Sequence, residues 1–151
     1  MRKLVFLVMC MWSLGTFAQD GCETSKYVSL GLSMGNGGEF LTNSYNSLEF
    51  GIVKHDVALG LSLGRGNFKG MFRSDDVIEN YFYELRVTPS FPLGYFNVNA
   101  IFGLGAYFNT PNSFIEYGIG FSQSYKSIGY GISFSNWDGV NYISPCISYN
   151  F

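Results

Sequence analysis

Four charged residues stand where charge is expensive. Glu49, Glu84, Arg86 and Glu116 fall inside runs that alternate in character: SYNSLEFGIV, NYFYELRVTP and FIEYGIGFS. Successive side chains of a strand point to opposite faces. Each charge therefore lies opposite the large apolar residues of its run, such as Leu48 and Phe50, Tyr83 and Leu85, or Ile115 and Tyr117. Charges in an enclosed, low-dielectric space must pair with one another or reach water. Arg86 is expected to pair with at least one of the three carboxylates, in a network that stiffens an interior. Three carboxylates against one guanidinium leave negative charge over, to be met by protonation of one carboxylate or by water. If the interior were continuous, the same residues would instead line a gated pore or a proton path.

Other reactive side chains give weaker signals. The single histidine, His55, sits in KHD between two alternating runs and reads as a solvated turn residue. General acid–base chemistry would need partners that the local sequence does not supply. SLGRGNFKG lacks the Gly-Lys-Ser/Thr ending and following helix of a phosphate loop. Its Arg65 and Lys69, with Arg73 beyond, suit anionic head groups or simple solvation. No paired histidines suggest a metal site, and no cofactor is implied. Asp75, Asp76 and Glu79 lack the spaced oxygen ligands of a calcium loop. Cys22 and Cys146 form an even pair after the leader, which permits one disulfide or two separate thiols.

The elements that hold these residues follow from composition and period. The chain has 151 residues, 47% apolar and only 13% charged, with 19% aromatics, 19 glycines and 4 prolines. A soluble domain carries about 25% charged residues. The opening MRKLVFLVMCMWSLGTFAQD explains part of the excess. Arg2 and Lys3 precede an apolar core from Leu4 to Trp12, and Thr16 and Ala18 occupy cleavage positions. Residues 1–19 therefore read as a secretory signal peptide, and the apolar run is short for a bilayer span of about 20 residues. Without Arg2 and Lys3, seven Lys and Arg face 11 Asp and Glu, a net charge of about −4. That balance offers no basic footprint for nucleic acid.

Residues 20–151 alternate with period two in eight segments. Val28, Leu30, Leu32 and Met34 oppose Ser29, Gly31 and Ser33. Val57, Leu59, Leu61 and Leu63 oppose Ala58, Gly60 and Ser62. Ile128, Tyr130, Ile132 and Phe134 oppose Gly129, Gly131 and Ser133, and the final YISPCISYNF repeats the pattern. Ile101 alone interrupts the small face of its segment. Most segments have nine or ten residues, and a tilted strand needs about 9–11 to cross a bilayer. With the apolar face inward, the outer surface would be glycine and serine, far from the charged surface a soluble barrel needs. With it outward, bulky residues meet lipid and small ones line a narrow bore, as eight strands require. Such a sheet must close, because unpaired edges cost several kcal/mol per hydrogen bond in hydrocarbon. The expected fold is all-β, an eight-stranded antiparallel up-and-down transmembrane β-barrel.

Connections tend to alternate in length. Short ones span Val53 to Asp56, Pro89 to Gly94 and Gln123 to Lys126; longer ones span Gly35 to Asn43, Gly64 to Asp76 and Ser135 to Asn141. Asn109 to Ser113 is no longer than the turns. Aromatic residues of the apolar face gather at two levels: Phe91, Phe96, Phe121, Tyr149 and Phe151 by the short turns, Tyr81, Tyr83, Phe108 and Phe134 by the longer loops. Short turns on one side and aromatic girdles at both levels suit a membrane barrel.

These strands, girdles and the aromatic ending resemble small outer-membrane β-barrel proteins of Gram-negative bacteria, and the Ala-Gln at the leader's end is similar to exported proteins of the Bacteroidota. The resemblance spans residues 20–151 and names no subfamily. It implies periplasmic termini and a role for Tyr149 and Phe151 as the signal read by the barrel-assembly machinery. In such a membrane the anionic head groups open to Arg65, Lys69 and Arg73 are lipopolysaccharide phosphates, with solvation of the loop as the other reading. The expected function is non-enzymatic: structural, adhesive, or as an accessory subunit of a larger outer-membrane complex. A narrow porin-like channel is the alternative. A lipid-modifying enzyme is the second, although His55 falls at the end away from lipid A.

Overall fold

The computed structural model describes residues 24–36, 43–68 and 78–151. Its strands are β1 (Ser25–Asn36), β2 (Asn43–Lys54), β3 (Val57–Phe68), β4 (Ile78–Leu93), β5 (Phe96–Tyr107), β6 (Ser113–Tyr125), β7 (Ile128–Trp137) and β8 (Val140–Asn150). Each pairs antiparallel with its neighbours in the chain, and β8 returns to β1, giving one closed barrel. Closure leaves no edge and satisfies the backbone between strands. The last residue takes part: Phe151 N donates to Lys26 O at 2.9 Å, and Lys26 N donates to Phe151 O at 3.0 Å. No helix among the described residues is long and apolar enough to cross a membrane, so any crossing is by strands.

The alternation resolves in the direction the surface argument favours. Leu30, Phe102, Leu104, Ile115 and Ile147 are more than half exposed, whereas Ser62, Glu84 and Asn80 have no accessible surface. A continuous exposed apolar belt of this kind marks a lipid-facing wall. Tyr83 belongs to the outer face but is covered by the Phe108 ring, 5.2 Å away.

Three expectations from the sequence change. The Pro89–Gly94 stretch is not a turn: β4 runs on to Leu93, pairs Phe91 with Val98, and turns at Gly94 (φ 66°). Proline ends pairing only locally, and the β4–β5 ladder skips Thr88 and Pro89 before resuming. Ser135–Asn141 is not a longer loop either. Asp138 and Gly139, both at positive φ, form a two-residue hairpin turn, and Asn136 accepts from Gly139 N at 2.9 Å. Asp-Gly is a strong signal for such a turn, since both positions need left-handed backbone. The third change concerns the bore, which is not lined by small residues throughout. Its half nearest β1–β2, β3–β4, β5–β6 and β7–β8 connections is filled with rings.

Candidate functional site

The interior has three tiers between the loop end and the end that carries the termini. At the loop end Tyr45, Phe68, Phe82, Tyr107, Phe114, Trp137, Val140 and Tyr142 form one buried cluster. Trp137 lies at its centre, stacked on Tyr45 at 4.4 Å and on Phe114 at 4.3 Å, with Phe82 edge-on at 5.0 Å. Offset stacks and edge contacts are the favoured ring geometries. The rings fit because glycines face them across the ladders. Gly64 lies opposite Phe82, Gly105 opposite Phe114 and Gly35 opposite Tyr142. A Cβ on any of these glycines would overlap the facing ring.

Below the rings lies the charge cluster. Arg86 donates through Nε to Glu116 at 3.0 Å, through Nη1 to Glu49 at 2.9 Å and through Nη2 to Glu84 at 2.9 Å. Nη2 also lies 2.8 Å from Glu116 Oε2. The structure thus brings all four residues together, drawn from β2, β4 and β6. Tyr27 donates to Glu49 as well. Glycines again supply the room: a Cβ at Gly103 would strike Glu84, and one at Gly60 would strike Glu49 and Tyr27. The planar guanidinium fork suits this arrangement because its donors point in several fixed directions. Several polar atoms beside the cluster lack a hydrogen-bond partner, including Glu84 Oε1, Ser62 Oγ and Trp137 Nε1.

The third tier is a polar well of about 300 Å³. It runs from Asp56, Asn97, Gln123 and Asn150 at the terminus-end rim down to Glu49 and Arg86. Its wall includes the rung Ser90–Asn99–Ser122, bonded at 2.7 and 2.9 Å. Ile101, the lone break in the small face, is buried within it.

The remaining candidates scatter. Cys146 lines the well with a free thiol, while Cys22 lies outside the described residues. Lys26 pairs with Phe151, so Cys146 lies six residues further along the barrel than the level of Ser25, about 20 Å at strand rise. Arg65 points outward, pairs with exposed Glu79 and lies 5.6 Å over the Tyr81 ring. Lys69, Arg73, Asp75 and Asp76 lie outside the described residues. His55 occupies the two-residue β2–β3 turn at the terminus end (φ 49°). Tyr149 and Phe151 stack on the outer face at 6.3 Å, both exposed. The ring cluster is not marked by any single strand of the sequence; it forms where the loop ends of the strands converge.

No protein-family model and no curated protein matches the chain. Among solved structures, Neisserial surface protein A is 9% identical, covering 87% of this chain and 100% of its own, with a TM-score of 0.53. The two share a fold. Ail, the attachment invasion locus protein of Yersinia pestis, is 15% identical over 85% of this chain and 96% of its own, with a TM-score of 0.45. The KdgM porin is 9% identical over 83% and 99%, with a TM-score of 0.38. At 9% identity the likeness to Neisserial surface protein A is one of architecture alone.

Proposed function

We propose that this chain is a non-conducting outer-membrane barrel that acts through its loop-end surface, as an adhesive or accessory protein rather than as a pore or an enzyme. One observation carries the reading. The loop half of the bore is packed with aromatic rings, and Trp137, Phe68 and Phe82 have no accessible surface. Side chains fill the interior of a small barrel, and an ion would have to displace stacked rings from a dry cluster to pass. The polar well is a blind end, not half of a channel. The start of β1, the end of β8 and the short turns then face the periplasm, and the ring-filled end of the barrel faces outside. Arg65 stands on the outer face of the loop-end rim, where lipopolysaccharide phosphates would lie. The lone histidine sits at the opposite end, which gives a lipid A-modifying activity no support.

The test is conductance of the purified barrel in planar bilayers. The native chain should give no stable unitary openings, and Trp137→Ala combined with Tyr45→Ala should create them. Stable openings of the native chain would sink the reading. Isolation from native membranes in mild detergent addresses the accessory role: a stoichiometric companion is expected for a subunit, and a lone barrel for an adhesin.

A further inference from the structure

The charges of the well do not balance. Arg86 is the one cationic side chain among the described residues that line it, and three carboxylates already share it. Asp56 adds another acid at the mouth. The field is therefore negative from rim to floor, and clefts with low-dielectric walls concentrate such a field.

A second feature sits at the same floor. By the register on either side, Ser33 and Ser144 fall opposite each other across the seam between β1 and β8 without being paired, and both line the well. The ladder is interrupted there: pairing runs from Gly31–Cys146 straight to Met34–Ile143, skipping Leu32 and Ser33 opposite Pro145 and Ser144. Pro145 has no N–H to donate. Ser33 is 3% exposed and Ser144 8%, yet neither hydroxyl has a hydrogen-bond partner. The Tyr45 hydroxyl is near Ser33 but does not meet hydrogen-bond geometry. Buried hydroxyls without partners are costly, and such oxygens serve as ligands for hard cations and ammonium groups.

We propose that the floor of the well binds one small monovalent cation, an alkali ion or a primary ammonium group, on the Ser33 and Ser144 hydroxyls within the field of the Glu49, Glu84 and Glu116 carboxylates. Serine oxygens replace part of the ion's water shell, and the carboxylates supply the charge. The proposal does not depend on whether the barrel is adhesive, accessory or conducting.

The barrel, refolded in detergent, is unfolded by heat in sodium, potassium, methylammonium or tetramethylammonium chloride at equal ionic strength. Tetramethylammonium is the control, because it has no N–H to donate and its methyl groups keep hydroxyl oxygens from close approach to the charge. A ligand that binds only the folded state raises the unfolding temperature by mass action, and a saturating rise of about 3 °C over the control is expected. A rise with sodium or potassium alone identifies an inorganic ion, and one with methylammonium alone an amine; either supports the site. Ser33→Ala with Ser144→Ala should abolish the difference, whereas Ser124→Ala at the mouth, which changes no charge, should leave it. If the serine pair does not fold, Ser144→Ala alone should reduce the rise. Equal unfolding temperatures in all four salts overturn the proposal. So does a rise that survives the serine substitutions, or an unfolding temperature that follows pH but not the cation, since a proton would then supply the balance.

Discussion

The tip of the Phe114 ring lies against Gly105, its partner across the β5–β6 ladder, and occupies the place a side chain on residue 105 would need. Gly105→Ala should therefore force Phe114 off the Trp137 stack and cost about 1–3 kcal/mol. Gly120→Ala is the control. A methyl there would meet only Ser133 Cβ at 3.4 Å, Ile132 O at 3.5 Å and Ile101 Cδ1 at 3.6 Å, which are ordinary contacts. It should be neutral or slightly stabilising. Urea unfolding of both variants in detergent, followed by tryptophan fluorescence, measures the contrast. Equal stability would refute the cross-strand account of the ring cluster.

Arg86→Met leaves three buried carboxylates without their shared donor. Removing one partner from a buried ionic group costs about 3–5 kcal/mol. Arg86→Lys should recover only part of the loss, because one ammonium cannot meet Glu49, Glu84 and Glu116 in the directions that Nε, Nη1 and Nη2 reach. Lysine equal to arginine in urea midpoint would show that charge, not the fork, holds the cluster.

The network was largely legible before the structure, because charge on the face opposite Leu48 or Ile115 has nowhere to go but inward. The strands were legible for the same reason: period two survives any fold that buries one face. The rings were not foreseen, although their signal was present. Tyr45, Phe82, Tyr107, Phe114 and Tyr142 share the parity of Ser47, Glu84, Gly105, Glu116 and Ser144, and all lie at the loop end of their strands. Reading each strand alone treats them as isolated exceptions; only the register shows five strands converging on one space. The Asp138-Gly139 turn was missed by weighing loop length over turn chemistry. Neighbours set by closure, such as Ser33 and Ser144, depend on the β1–β8 register, which no local pattern encodes.

Phe151 has two roles that substitution and deletion separate. Deleting it removes two backbone hydrogen bonds to Lys26, worth about 1 kcal/mol each. The deletion should lower the unfolding midpoint of the refolded barrel. Phe151→Ala keeps those bonds, so it should refold normally in detergent. If the terminal ring is the mark read during assembly, the same variant should insert poorly in cells. Heat-modifiable migration on gels reports both, and normal insertion of Phe151→Ala would remove the recognition role.

Cys146 should be alkylated in the native barrel without prior reduction. The thiol is free and lines a well with its rim at the terminus end. In proteoliposomes of known orientation, a small charged maleimide should modify it from the terminus side only. Modification from the loop side would mean that the ring cluster leaks. Failure to react until reductant is added would restore the disulfide.

Asp138 and Gly139 turn the chain back at the rim, and 108–112 crosses from β5 to β6 within five residues. The half of the barrel built from β5–β8 thus presents a low parapet. The other two loop-end connections, 37–42 and 69–77, have six and nine residues. On the reading proposed above, in which the loop-end surface does the recognising, specificity would change by substitution within these two segments alone. The wall that meets lipid and the rings that seal the bore need not change with them.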